Sequence, residues 1–398
     1  MGDLDEYLTL KPQQQGVGHQ WKTGIVKHLK GAEQRSSYFT WPRFITQTRF
    51  SLSENIDTWF RRKLYTSSHK VWGVPLWHDQ FTMTATATSG ATGFSVESTA
   101  KRHLTAGREI ILIDKLDPSR YHATALASTS TNRVHLATAI NHNYTSSGSW
   151  ACPVVESRIT VPSGVRVSQV SAAFVDVRGE EDYSTDRSIF YTPPTSTAAT
   201  YLGHEVVDFR FNHSKTFKYD HPLKDFKTLG KHYYESFYED DMTHINTEFQ
   251  ADLITRDEIW DFWTTFDSAK GRYNAFWLPT WHRDMVFTDG CSSGDVVLDI
   301  TSDDYDTAFL SNVVINRHIL FYFPDKTWTC RKVVDYDDGE LTISTAIGVT
   351  LTASEASKTM ICFLIFSRFD MDTAIMQYQA AQVAKIGFET KGLVEEAI

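Results

Sequence analysis

Residues 255–284 read TRDEIWDFWTTFDSAKGRYNAFWLPTWHRD. Thr255 with Glu258 three positions later is a capping box, and Ile259, Phe262, Trp263 and Phe266 fall at i, i+3, i+4 and i+7. That spacing predicts a short helix with one aromatic face seated on a sheet. Gly271 ends the helix, and the chain from Tyr273 to Asp284 runs extended. Pro279 has no N–H to give a ladder, so this segment is expected at a sheet edge or at a turn onto one.

The stretch occurs twice. Ser51, Glu54, Asp57, Trp59, Pro75, Trp77, His78 and Thr84 share one spacing with Thr255, Glu258, Asp261, Trp263, Pro279, Trp281, His282 and Thr288, 204 positions later. Trp and Pro are uncommon, and an internal duplication is the simplest source of such a match. It continues with small slips, as loop insertions produce: Arg108, Ile110 and Ile111 against Arg317, Ile319 and Leu320, and Cys152, Ser157 and Arg158 against Cys362, Ser367 and Arg368. Upstream, Trp21-Lys22-Thr23 is set against Phe226-Lys227-Thr228, and Phe44 against Phe249.

The organisation expected from this is an N-terminal arm over 1–20 that orders against a partner, a β-rich unit over 21–177, a linker or long loop over 178–215, and a second β-rich unit over 216–398. Each unit is long enough to bury a core of its own. The expected fold is mainly β with short helices, a β-rich α+β chain of two related β-sandwich or β-barrel units, each with one short amphipathic helix. Ser51 and Glu54 predict a capping box for the first helix too. After each helix short strand-like runs alternate with polar turns, Asp337-Asp338-Gly339 being the strongest hairpin signal and Ser130-Thr131-Asn132 its counterpart.

A net charge of −10 argues against nucleic-acid binding by a general basic surface. No apolar run approaches the length needed to span a bilayer. The acidic start Met1-Gly2-Asp3-Leu4-Asp5-Glu6 is neither a secretory signal nor a myristoylation pattern. Four cysteines, none spaced as CxxC, fit buried thiols in a reduced compartment. The expected protein is made in a cytoplasm and uses no metal or cofactor.

Chemistry repeated in both copies is confined to His78 with Asp79 and His282 with Asp284. No nucleophile motif, P-loop, GxGxxG or HExxH accompanies them, so these histidines are expected to pack or hydrogen-bond, not to catalyse. The acidic runs Glu180-Glu181-Asp182, Glu239-Asp240-Asp241, Asp303-Asp304-Tyr305-Asp306 and Asp335-Tyr336-Asp337-Asp338 lack EF-hand spacing and are expected in solvated loops. The repeated residues Trp59, Pro75, Trp77, His78, Trp263, Pro279, Trp281 and His282 are expected as structural anchors.

The helix followed by Phe276-Trp277-Leu278-Pro279-Thr280-Trp281 and Asp284 resembles the tail-tip proteins of long-tailed bacteriophages. A second resemblance lies in Trp21-Lys22-Thr23, Gly31, Glu33, Arg35 and Pro42-Arg43, a pattern found near the start of some such proteins; the second copy lacks its Gly-x-Glu-x-Arg part. The resemblance implies a distal tail or baseplate ring protein in the virion, with no active site, assembled in the bacterial host cytoplasm. Its implied partners are further copies of itself, the tail tube, tape measure, hub and fibre proteins, and DNA that passes without specific binding. Three double-unit chains or a hexamer would meet a six-fold tube end. Two other classes fit the pattern: a carbohydrate- or receptor-binding β-sandwich module, which needs exposed Trp77, Trp277 and Trp281, and a glycan hydrolase, which needs two carboxyl groups facing across a cleft.

Overall fold

The computed structural model describes residues 6–27, 33–67, 69–161, 165–169, 172–181, 198–207, 212–220, 223–228, 231–236, 244–301, 305, 316–337, 339–380 and 383–393. The chain is mainly β; the described residues include two fourteen-residue helices and a four-residue one, Ala353–Ala356. In the first half the elements that matter are β1 (Gln14–Gln20), β2 (Arg43–Ser53), α1 (Glu54–Ser67), β3 (Trp72–Pro75), β4 (Glu109–Asp114), β5 (Ser149–Thr160), β6 (Val165–Gln169) and β7 (Ala172–Glu181). In the second they are β8 (Asn212–Asp220), β9 (His244–Leu253), α2 (Arg256–Ala269), β10 (Phe276–Pro279), β11 (His318–Tyr322), β12 (Met360–Phe369), β13 (Thr373–Ala380) and β14 (Val383–Gly392).

The two halves make the same ladders. β2 pairs with β1 and β7, as β9 pairs with β8 and β14. β5 pairs with β3, β4 and β7, as β12 pairs with β10, β11 and β14. Registers agree with the sequence match: Pro75 faces Val154 and Pro279 faces Leu364, while Ile111 faces Cys152 and Leu320 faces Cys362. Arg158 and Arg368 likewise sit opposite Glu180 and Lys391. Upstream of the helices the ladders overturn the alignment expected from sequence. Leu52 faces Ala173 and Leu253 faces Ala384, which makes Leu253 the counterpart of Leu52, and Phe249 the counterpart of Thr48, not of Phe44.

Local chemistry accounts for the two helix starts differently. Thr255 caps α2 as expected: its side chain accepts from the Glu258 N–H while the Glu258 side chain accepts from the Thr255 N–H. Ser51 does not cap α1, because β2 runs on to Ser53, with Ser51 facing Phe174 and Ser53 facing Ala172; pairing to β7 holds the chain extended until Glu54. At the other end of α2, Lys270 takes the left-handed conformation, and Gly271 follows at φ +63° with its N–H on the Phe266 carbonyl. A Cβ on Gly271 would meet Asp372 at 2.9 Å and Trp21 at 3.2 Å, so close approach as well as φ demands glycine there. Pro75 and Pro279 each end a four-residue strand, where the missing N–H costs the ladder nothing.

Both hairpin turns fall where expected, between Tyr121–Ser130 and Arg133–Leu136 and between Trp328–Asp337 and Glu340–Ile343, with Gly339 at φ +89°. The N-terminal arm differs from expectation. Gln14–Gln20 is not waiting for a partner but fills the slot between β2 and β13, closing a single antiparallel sheet in the order β6-β7-β2-β1-β13-β14-β9-β8. The boundary at residue 21 thus cuts off a strand that belongs to the sheet. The proposed linker is also partly structured: Arg178–Glu181 belongs to β7, and the Val207 N–H bonds the Trp277 carbonyl. Its Pro-rich part, 182–197, lies outside the described residues, as do Glu239-Asp240-Asp241, Asp303, Asp304, Asp306 and Asp338.

Nor are the cores wholly separate. Each half has clusters of its own, but the largest one joins Val17, Trp21, Phe44 and Leu76 of the first half to Phe262, Trp263, Phe369 and Met376 of the second. A shared apolar cluster at the junction makes separation of the halves costly, since it would return that area to water.

Candidate functional site

Where the halves meet, the apolar core encloses a set of polar side chains. Gln15 on β1, facing the proline turn, uses its whole amide: Nε2 donates to the Pro75 carbonyl at 2.9 Å, and Oε1 accepts from the Trp77 N–H at 2.8 Å. The turn Trp77–Asp79 is thereby fixed with all three residues buried.

Asp79 is 1% exposed and fully engaged. Its Oδ2 accepts from His103 Nδ1 at 2.8 Å and from the His103 N–H at 3.1 Å, and its Oδ1 accepts from Arg256 at 2.7 Å. Arg256, the first residue of α2, also donates to the His78 carbonyl at 2.9 Å and the Lys101 carbonyl at 3.1 Å. At the opposite end of α2, Asp267 accepts from His19 Nδ1 at 2.9 Å and from Trp21 Nε1 at 3.1 Å. Both ends of α2 are therefore anchored by charge-assisted bonds to the first half. The His78 ring stacks on Tyr378, with centroids 4.2 Å apart, and the His19 ring stacks on Trp263 at 4.0 Å.

Burial sets the charge states. It pushes His78 down to about 3 and lowers His103 against the pull of Asp79, so both rings are neutral near pH 7. Burial pushes the Asp79 carboxyl up, but His78, His103 and Arg256 outweigh it and hold it well below the usual carboxylate range. One carboxylate thus faces one guanidinium across the junction. The ligand atoms of His78, Asp79 and His103 lie within 4.8 Å of one another, close enough to surround a small cation. In this arrangement Arg256 supplies the cation that neutralises Asp79. The bonds of the set tie the two halves together, and burial pushes up the thiol of nearby Cys152.

Neutral buried histidines make stability depend on pH. His78 ordinarily titrates at 6.5 and here at about 3, so the unfolded chain binds a proton the folded one refuses. Stability is complete above about pH 6.5 and falls as the pH drops towards 3. At pH 5 His78 alone is expected to remove about 2 kcal/mol relative to pH 7.5. Urea unfolding at the two pH values, on the wild type and on His78→Gln, checks this: the variant should lose less on acidification, and an equal loss in both sinks the assignment.

Burial of the repeat anchors does not follow the halves. Trp263 and Pro279 are buried, and so are Pro75, Trp77 and His78. Trp59 and Trp281 are only half-buried, and the His282 side chain is 75% exposed beside Asp284 at 3.4 Å. Sequence pairing of His78 with Asp79 found part of the cluster, whereas His19, His103, Arg256 and Asp267 come from distant segments and carry no local pattern. No protein-family model matches this chain, and no curated protein matches it.

Proposed function

We propose that the chain is a structural ring component of a phage tail tip, joining tail tube to hub and fibres, in which each chain supplies two equivalent positions around the DNA lumen. The observation that carries this is the doubling of the ladders within one sheet: the same strand pairings occur twice in one chain, side by side, as they would between ring neighbours. Its buried polar atoms at the junction hold the units together instead of facing a substrate.

The competing classes fit less well. A sugar platform needs exposed rings, yet Trp77 is 6% and Trp277 0% exposed. A glycan hydrolase needs an acid able to hold and release a proton near neutral pH. Glu33, which shares a cleft with Glu205, is bonded by Arg368 and Lys391 and sits at about 2 despite its burial. Asp176, beside another cleft, is forked onto Arg49 at 2.7 and 3.3 Å. Glu33 and Asp176, each held by cations, are poorly suited to act as a general acid.

Mass spectrometry and electron cryomicroscopy of purified virions from cells expressing this chain test the proposal. A fixed copy number at the tube end, three or six chains, is expected. A protein absent from finished particles sinks it.

A further inference from the structure

The internal junction has a counterpart at the two outer edges of the strand row, unpaired among the described residues. Inside the molecule β1 of the first half pairs with β13 of the second, Gln15 facing Tyr378 through to Gln20 facing Thr373. The counterpart of β1 is β8 and the counterpart of β13 is β6. Among the described residues β8 pairs only with β9, and β6 only with β7. Among the described residues they are the outermost strands of the row β6-β7-β2-β1-β13-β14-β9-β8. The correspondence is close enough to fix residues: β6 on β7 and β13 on β14 each shift register at the same place, between Val167 and Gln169 and between Tyr378 and Ala380. Gly16 faces Gln47 as Thr216 faces Glu248, so Thr216 takes the place of Gly16 and Arg166 that of Gln377.

Side chains repeat the asymmetry. On the β1 side of the internal junction His78 is buried, whereas its counterpart His282, on the β8 side, is exposed. On the β13 side Arg368 is buried, donating to Glu33 from the first half at 2.7 and 3.1 Å; its counterpart Arg158, on the β6 side, is exposed. Residues covered at the internal junction are uncovered at the matching ends. Open strand edges are themselves templates for pairing.

We propose that β8 of one copy pairs antiparallel with β6 of a second copy of this chain, Thr216 opposite Arg166, repeating between molecules the contact that β1 and β13 make within one. The contact is heterologous, so repetition gives a closed ring where the rotation closes. This rests on the ring reading above, and it names the surfaces that close the ring.

Full-length Thr216→Cys and Arg166→Cys chains, mixed and oxidised with copper phenanthroline, test it. The expected result is a covalent dimer from the mixture and none from either variant alone. Thr216→Cys with Gln169→Cys, out of register, should cross-link roughly tenfold less because the thiols lie beyond disulfide reach. Dimers from one variant alone indicate edges pairing with their own kind and overturn the proposal. So does an oligomer, seen by light scattering, in which the in-register pair does not cross-link, and that result leaves the ring standing. Conversely, a chain carrying both Thr216→Cys and Arg166→Cys that cross-links into an open-ended ladder upholds the edge pairing and overturns the ring.

Discussion

Replacing Arg256 by alanine is expected to lower the free energy of unfolding by about 3–5 kcal/mol, because it strands a buried carboxylate. Asp79 is 1% exposed, and Arg256 is the guanidinium that neutralises it across the junction. The same substitution releases the carbonyls of His78 and Lys101. A lysine at 256 is expected to recover only part of the loss, since an ammonium cannot reach Asp79 and two carbonyls in one fork. Lys101 is the natural control: its ion pair with Asp257 joins side chains 40% and 72% exposed, and Lys101→Ala should cost well under 1 kcal/mol. Urea denaturation of the three variants reads these differences directly. A loss below about 1 kcal/mol for Arg256→Ala shows that water or a rearranged neighbour rescues Asp79, and the junction is then held by its apolar cluster alone.

Much of the fold could be read from the sequence, and the failures share one cause. The cap at Thr255, the aromatic face of α2, the ends of strands at Pro75 and Pro279 and the Gly339 turn depend on neighbours a few residues away. Ser51 has the same local pattern as Thr255 and does not cap, because pairing with a strand more than a hundred residues later outweighs it. The polar segment 14–20 looked like an arm for the same reason: its partners, β2 and β13, are remote, and its two glycines and glutamines give no apolar alternation. Close packing explains those glycines, since a Cβ on Gly18 would lie 2.7 Å from the Ala374 carbonyl. The candidate site was half visible, as adjacent His78 and Asp79; Arg256 stands 177 residues from Asp79 and appears only once the halves are brought together.

Trp263→Ala is expected to cost about 3–5 kcal/mol, the range for emptying a buried aromatic site, while Trp59→Ala in the matching helix should cost about 1 kcal/mol in the isolated chain. Trp263 is 0% exposed, stacked on the His19 ring, with its Nε1 donating to the Tyr378 hydroxyl at 3.4 Å. Both of those partners sit on strands of the internal junction, β1 and β13, so the cavity would open against a sheet that cannot collapse into it. Trp59 is half-buried under Lys63, whose Nζ lies 5.4 Å from the ring centre, and water already reaches the site. The two substitutions are chemically identical and occupy matching helices, so their difference measures what the junction adds to one half and not to the other. Equal losses in urea denaturation would mean that α1 packs as tightly as α2 without a neighbour, and the uncovered end of the first half would then need no second copy. A Trp59→Ala penalty that grows with protein concentration in the wild-type background points the other way, to a contact made only when copies assemble.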